Sequence, residues 1–216
     1  MFSNLKWGTR RPDQPGTARP DALPARGEGP VVPSKALPKF LSALTSREAP
    51  VLLDFGPVLG PNVGFFGERL GCKLFIEDLL TEFERHQKAG TTSTMATAFE
   101  TRFRHADGSV DGVLCWDIFD LLDKPAAHAL AHQIVRMLRP GGAVMGFFCT
   151  SAVAHAPFTK YEIIDDSTLR HRAHPGAGAP KHVLQNRDVI KMFDGLIVSD
   201  SFLLKNNTRE MLLRRR

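Results

Sequence analysis

Cysteine is scarce in this 216-residue chain: Cys72, Cys115 and Cys149 are an odd number and widely spaced. That excludes a disulfide framework and the paired spacings of a structural zinc site. Each lies in or beside an apolar run, where reduced core thiols belong. Long apolar stretches are also missing. The longest, Gly141 to Ala154, is broken by Thr150 and Ser151 and falls short of the roughly 20 residues that a membrane-spanning helix needs. The opening MFSNLKWGTRRPDQPG has charges with no apolar block behind them, and Phe2 stands where myristoylation requires glycine. A cytoplasmic location is the expectation.

What is present in quantity is ordinary. Hydrophobic residues make up 43% and charged residues 24%, as in globular domains, and the length suits a single core, which grows to about 250 residues before splitting. The net charge of +5 would by itself suggest an acidic partner. The excess sits at the two ends, however. Residues 1 to 36 hold six basic and three acidic side chains, and Arg214, Arg215 and Arg216 close the chain, which leaves 19 basic and 20 acidic residues in between. A body slightly on the acidic side argues against nucleic acid. Seven of the fifteen prolines fall between residues 8 and 38, a composition that buries too little apolar surface to offset the entropy of ordering. Residues 1–36 therefore read as a flexible, Pro-rich basic arm, and 37–216 as the folded domain.

From Leu37 the pattern is α/β. Leu37, Phe40, Leu41 and Leu44 recur at helical spacing, and Val51 to Phe55 is a short buried strand. Val63, Phe66 and Leu70 space a helix, Lys73 to Ile76 a strand, and Thr81 to Lys88 a polar helix. A further strand is expected near Thr97 to Phe103. Asp111 to Trp116 is a strand, Pro125 opens a helix, and Ala143 to Cys149 is a strand apolar on both faces. Strands alternating with helices predict a parallel sheet covered on both sides. After residue 150 the order changes. Lys160 to Ile164 and Thr168 to Arg172 suggest a hairpin, Asn186 to Asp194 a helix, and Leu196 to Leu204 with Arg209 to Arg214 a closing antiparallel pair. The fold class is a Rossmann-like, doubly wound, mostly parallel sheet with an antiparallel C-terminal hairpin.

In such a sheet, ligands bind beyond the carboxyl ends of the strands. The loop after the first of these strands reads Asp54-Phe55-Gly56-Pro57-Val58-Leu59-Gly60, and the next strand ends on Glu77 and Asp78. An ionised carboxylate accepts both hydroxyl hydrogens of a ribose, so the pair points to a nucleoside-bearing cofactor. The glycines also admit a structural reading, in which they let a helix pack closely on the sheet.

VLLDFGPVLGPNV, IED (76 to 78), VDGVLCWD (110 to 117), LRPGG (138 to 142) and the final hairpin together resemble the class I S-adenosylmethionine-dependent methyltransferases over residues 37 to 214. The resemblance implies S-adenosylmethionine as cofactor. Gly56 and Gly60 would pass under its methionine part, Asp54 would help hold its amino group, and Glu77 or Asp78 would bind its ribose. Glu100 stands one position away from the family's usual acid for the adenine amine. Cys115 and Trp116 would border the adenine or substrate. The chain departs from the family pattern at Val58, where glycine is usual. A β-branched residue there would put two methyl groups in the cofactor's path.

Methyl transfer is an in-line displacement needing alignment and, for some acceptors, a base. No catalytic residue is singled out. Asp117, His155 and Tyr161 are the candidates for facing a small-molecule substrate, with His171 nearby. The amino-methylating nucleic-acid branch has prolines after its fourth strand, where this chain has Asp117-Ile118-Phe119. His128 and His132 are four apart on a helix but lack an acidic third ligand, so no metal is expected. Two functions follow: a small-molecule or natural-product methyltransferase, or a noncatalytic relative that keeps the fold as a binding or scaffold module.

Overall fold

The computed structural model describes residues 29–174 and 178–216. Six strands form the main sheet in the order β10-β11-β5-β4-β2-β3. They are β2 (Val51–Asp54), β3 (Lys73–Ile76), β4 (Val110–Trp116), β5 (Leu138–Cys149), β10 (Leu196–Leu203) and β11 (Thr208–Arg215). The pairs β2–β3, β2–β4 and β4–β5 are parallel, whereas β5–β11 and β11–β10 are antiparallel. This is the fold expected from the sequence. Every residue of β4 is buried, which accounts for its unbroken apolar run. Because β2 has β3 on one side and β4 on the other, the chain leaves β2 and β4 in diverging directions, and a crevice opens between those exits.

Two apolar layers enclose the sheet. One face carries α3 (Leu79–Ala89), α4 (Met95–Arg102), α5 (Lys124–Met137) and α6 (Asn186–Met192), packed through Phe83, Phe99, Leu130, Ile134 and Phe193. The other carries α1 (Leu37–Leu44), a helix that begins as α2 (Gly60–Val63) and widens to a π-helix over Gly64–Arg69, and a small sheet. In that small sheet the order is β1-β8-β7, made of β1 (Val31–Pro33), β7 (Thr159–Asp165) and β8 (Thr168–Ala173). The expected hairpin is β7–β8. A third pairing joins β6 (Val153–Ala156) to β9 (Ala179–Lys181). Gly112 lets α1 lie close on β4, since a Cβ there would sit 2.9 Å from Phe40 and Leu44.

Two expectations need correction. The segment near Thr97 to Phe103 is helical: Met95 and Phe99 sit one turn apart, and both are buried. In α4 that spacing aims both side chains at one apolar layer, which strand alternation would not. As a result β3 is the edge of the main sheet. The basic arm was expected to extend to residue 36. Its first 28 residues lie outside those described, but Val31–Pro33 pair antiparallel with β8. Just beyond, Ser34 bonds the buried Glu210 carboxylate, and the Lys35 amide donates to the same group at 2.9 Å.

Candidate functional site

The crevice is built from the ends of β2 and β4. Asp54 is buried at the last position of β2, and its Oδ1 accepts hydrogen bonds from the Gly56 amide at 2.8 Å and from Trp116 Nε1 at 2.6 Å. Burial pushes this carboxyl up to about 6, against the two bonds that favour its ionised form. Trp116 ends β4 with φ +48, in the left-handed region that a bulky residue adopts only when its surroundings enforce it. Its indole lies parallel to the Tyr161 ring, with centroids 5.2 Å apart and planes 3° apart. Tyr161 in turn stacks on Phe147 at 4.8 Å. Tyr161, the chain's only tyrosine, is delivered from the added strand β7.

The indole occupies the crevice floor. A Cβ on Gly56 would come within 2.7 Å of Trp116 Cδ1 and Nε1, so the glycine is required by a side chain of the protein itself. The remaining space, bordered by Pro57, Leu80, Cys115 and Thr159, is about 10 Å³, room for about one water. Cys115 is buried, and that burial raises its thiol well above the ordinary value, so it stays protonated. Val58, expected to be the obstacle, has 65% of its surface exposed, and Gly60 has no neighbour within 4 Å of a Cβ position. The side chain that fills the space beside Gly56 is that of Trp116.

The acids ending β3 are engaged elsewhere. Glu77 Oε2 is 3.2 Å from Arg102 Nη2, which also donates to the Glu77 carbonyl at 2.7 Å. The other guanidinium nitrogen pairs with Glu82. Asp78 takes a left-handed conformation to cap α3, accepting from the Thr81 amide at 3.1 Å and hydroxyl at 2.9 Å. Glu100 is exposed on α4, away from the crevice, and its carbonyl accepts from Gln133 of α5. His155 is exposed on β6, outside the ring stack.

Behind the rings lies a buried ionic cluster. Asp117 Oδ2 accepts from Lys181 Nζ at 2.7 Å, and Asp120 Oδ2 lies 3.5 Å from the same ammonium. Asp120 Oδ1 accepts from the Cys149 amide at 2.9 Å. Burial, with Asp117 adding to it, pushes Asp120 up to about 7. Burial pulls Lys181 down, but the two carboxylates outweigh it and hold the ammonium above its ordinary value. Burial and then Asp117 and Asp120 raise the Tyr161 hydroxyl, while burial lowers His171. Of the residues expected to face substrate, Asp117 and Tyr161 are thus brought together and His155 is not. Lys181, Asp120 and Arg102 were not anticipated. Lys181 follows a Gly/Pro loop and is 64 residues from Asp117, and nothing local announces that pairing.

S-adenosylmethionine would meet groups that are already engaged within the chain. The glycine face is covered by an indole, the acid below it is bonded to that indole, and the ribose carboxylate faces a guanidinium. As arranged, these residues do not accommodate the cofactor. Among the described residues, no group of three or more His, Cys, Asp or Glu is arranged to hold a metal, and no helix is long and apolar enough to cross a membrane.

No family model and no curated protein matches the chain. Solved structures do. The PH0226 protein from Pyrococcus horikoshii OT3 aligns with a TM-score of 0.50 at 13% identity, over 84% of this chain and 89% of that one. The glycopeptide N-methyltransferase MtfA complexed with S-adenosyl-L-methionine aligns with a TM-score of 0.48 at 13% identity, over 93% and 100%. The 1,6-didemethyltoxoflavin-N1-methyltransferase from Burkholderia thailandensis, with bound 1,6-didemethyltoxoflavin and S-adenosylhomocysteine, gives 0.48 at 14% identity, over 84% and 77%. The likeness to PH0226 is one of fold, and an identity this low speaks to fold alone.

Proposed function

We propose that this protein is a noncatalytic member of the methyltransferase-like fold that serves as a binding or scaffold module, its cofactor crevice having become part of its core. The observation that carries this reading is the Trp116 indole lying over Gly56 and bonded to Asp54. A methyl donor would have to displace a ring stacked on Tyr161 and Phe147, strip the buried Asp54 of its indole donor, and pull Glu77 from Arg102. Each of those groups is satisfied within the chain, so the exchange has little to gain.

A second reading, an S-adenosylmethionine-dependent methyltransferase of a small molecule or natural product, is favoured by one feature. The left-handed backbone of Trp116 stores strain of order 1–3 kcal/mol, and a swing of that residue would release it while opening the crevice toward Asp117. Calorimetric titration of S-adenosylmethionine into the wild type and Trp116→Ala separates the readings. The scaffold reading expects no saturable heat from the wild type. Binding by Trp116→Ala alone identifies the indole as the occluding group, and binding by the wild type overturns the proposal. Val58→Gly is expected to change nothing, because Val58 faces solvent.

A further inference from the structure

Space absent from the crevice is found along α5. A cavity of about 520 Å³ lies between the start of α5, the segment 182–184 and α6, within the roughly 300–1,000 Å³ typical of small-molecule sites. Its floor is apolar: Leu122 and Ala127 are almost wholly buried, Met192 nearly so, and Leu184 packs against the core from the same side. A second cavity of about 540 Å³ shares His128 and Met192 with it, so the two run on as one trough along the helix.

The rim is cationic. Lys124 and Lys191 line the cavity, and neither pairs with a carboxylate among the described residues. The one acid lining this first cavity, Asp188, has its Oδ2 accepting from the Gln185 amide in the capping box of α6 and its Oδ1 facing Arg187, whereas the adjoining cavity is lined by Glu100 and Asp194. Two ammonium groups against one carboxylate, over an apolar floor, select a ligand with one anionic end and an apolar body. We propose that the first cavity, at the lysine end of the trough, binds a medium-chain fatty carboxylate, its carboxylate held between Lys124 and Lys191 and its chain lying on Leu122, Ala127 and Met192. Charge argues against residues 1–28 as the occupant, because they carry five basic and three acidic side chains. The inference stands apart from the cofactor crevice and holds whichever reading of that crevice is correct.

The test is calorimetric titration of sodium decanoate, below its micellar concentration, into the full chain. One saturable site is expected, weakened at least about tenfold in Lys124→Glu/Lys191→Glu, unchanged in Lys88→Glu at an exposed position of α3, and much weaker for decan-1-ol. Both lysines lie at the surface, and an unchanged melting temperature confirms that the double variant is folded. Absence of saturable heat overturns the proposal. So does decanoate binding that the double charge reversal leaves intact, which would place the fatty acid elsewhere. So does a dimer in sedimentation that the reversals dissolve, which would make the trough an interface between copies of the chain.

Discussion

Two concavities on this molecule have opposite characters. The crevice between β2 and β4 lies where the fold places a ligand, yet it retains about 10 Å³, and its polar groups are bonded to one another. The trough beside α5 lies where the fold gives no reason to look, yet its lysine-lined cavity alone retains about 520 Å³, with Lys124 and Lys191 having no carboxylate partner among the described residues. Position in a fold and capacity to bind are separable. A site remains a site only while its groups have more to gain from a ligand than from each other.

If the crevice is core and the trough is surface, substitutions should affect stability very differently in the two. The largest effect is expected from Trp116→Ala, which removes a buried ring stacked on Tyr161 and the donor to Asp54. A loss of about 3–5 kcal/mol in denaturant unfolding is expected. Trp116→Gly should recover about 1 kcal/mol of that loss, since glycine tolerates the positive φ. A loss near zero for Trp116→Ala would mean the indole is a removable plug, and the contrast would collapse.

The ionic cluster behind the rings supplies a pH test of intermediate size. Asp120 titrates at about 7 in the folded chain against 3.8 as a free side chain, so folding favours its protonated form. The stability this group contributes is fully present below about pH 4 and is lost as the pH rises through 7. Asp54, raised to about 6, acts in the same direction over a slightly lower window. Asp120→Asn keeps an acceptor for the Cys149 amide and removes the titration. The variant should match the wild type near pH 4 and be clearly the more stable at pH 8, as thermal unfolding across that range would show. A variant less stable than the wild type at pH 8 would mean that the Lys181 pairing, not desolvation, dominates the cluster. The smallest effect is expected at the trough, where Lys124→Glu/Lys191→Glu should change unfolding free energy by less than about 0.5 kcal/mol.

Much of the architecture was legible in the chain. Val51 to Phe55, Asp111 to Trp116 and Ala143 to Cys149 are apolar runs that only a sheet covered on both faces can bury, and the short link between β10 and β11 forces them antiparallel. The segment around Thr97 was not legible, since its Thr- and Ser-rich surroundings carry no period and its helix is fixed by Met95 and Phe99 packing into a shared layer. In the candidate site, Asp54, Gly56 and Trp116 lie together at the ends of β2 and β4. Their relation was not legible, because a sequence does not say whether a glycine makes room for a ligand or for an indole 60 residues away.

The linear order of residues determined the strands of the parallel core, the antiparallel finish and the crevice where such a sheet would take a ligand. All of these follow from short-range periodicity and from the limits on how strands connect. Tertiary structure alone decided what fills that place. Trp116, Tyr161 and Phe147 come from three different strands, and Lys181 reaches Asp117 from a fourth. Whether their rings and charges meet each other or a ligand depends on packing in three dimensions, which no local pattern encodes.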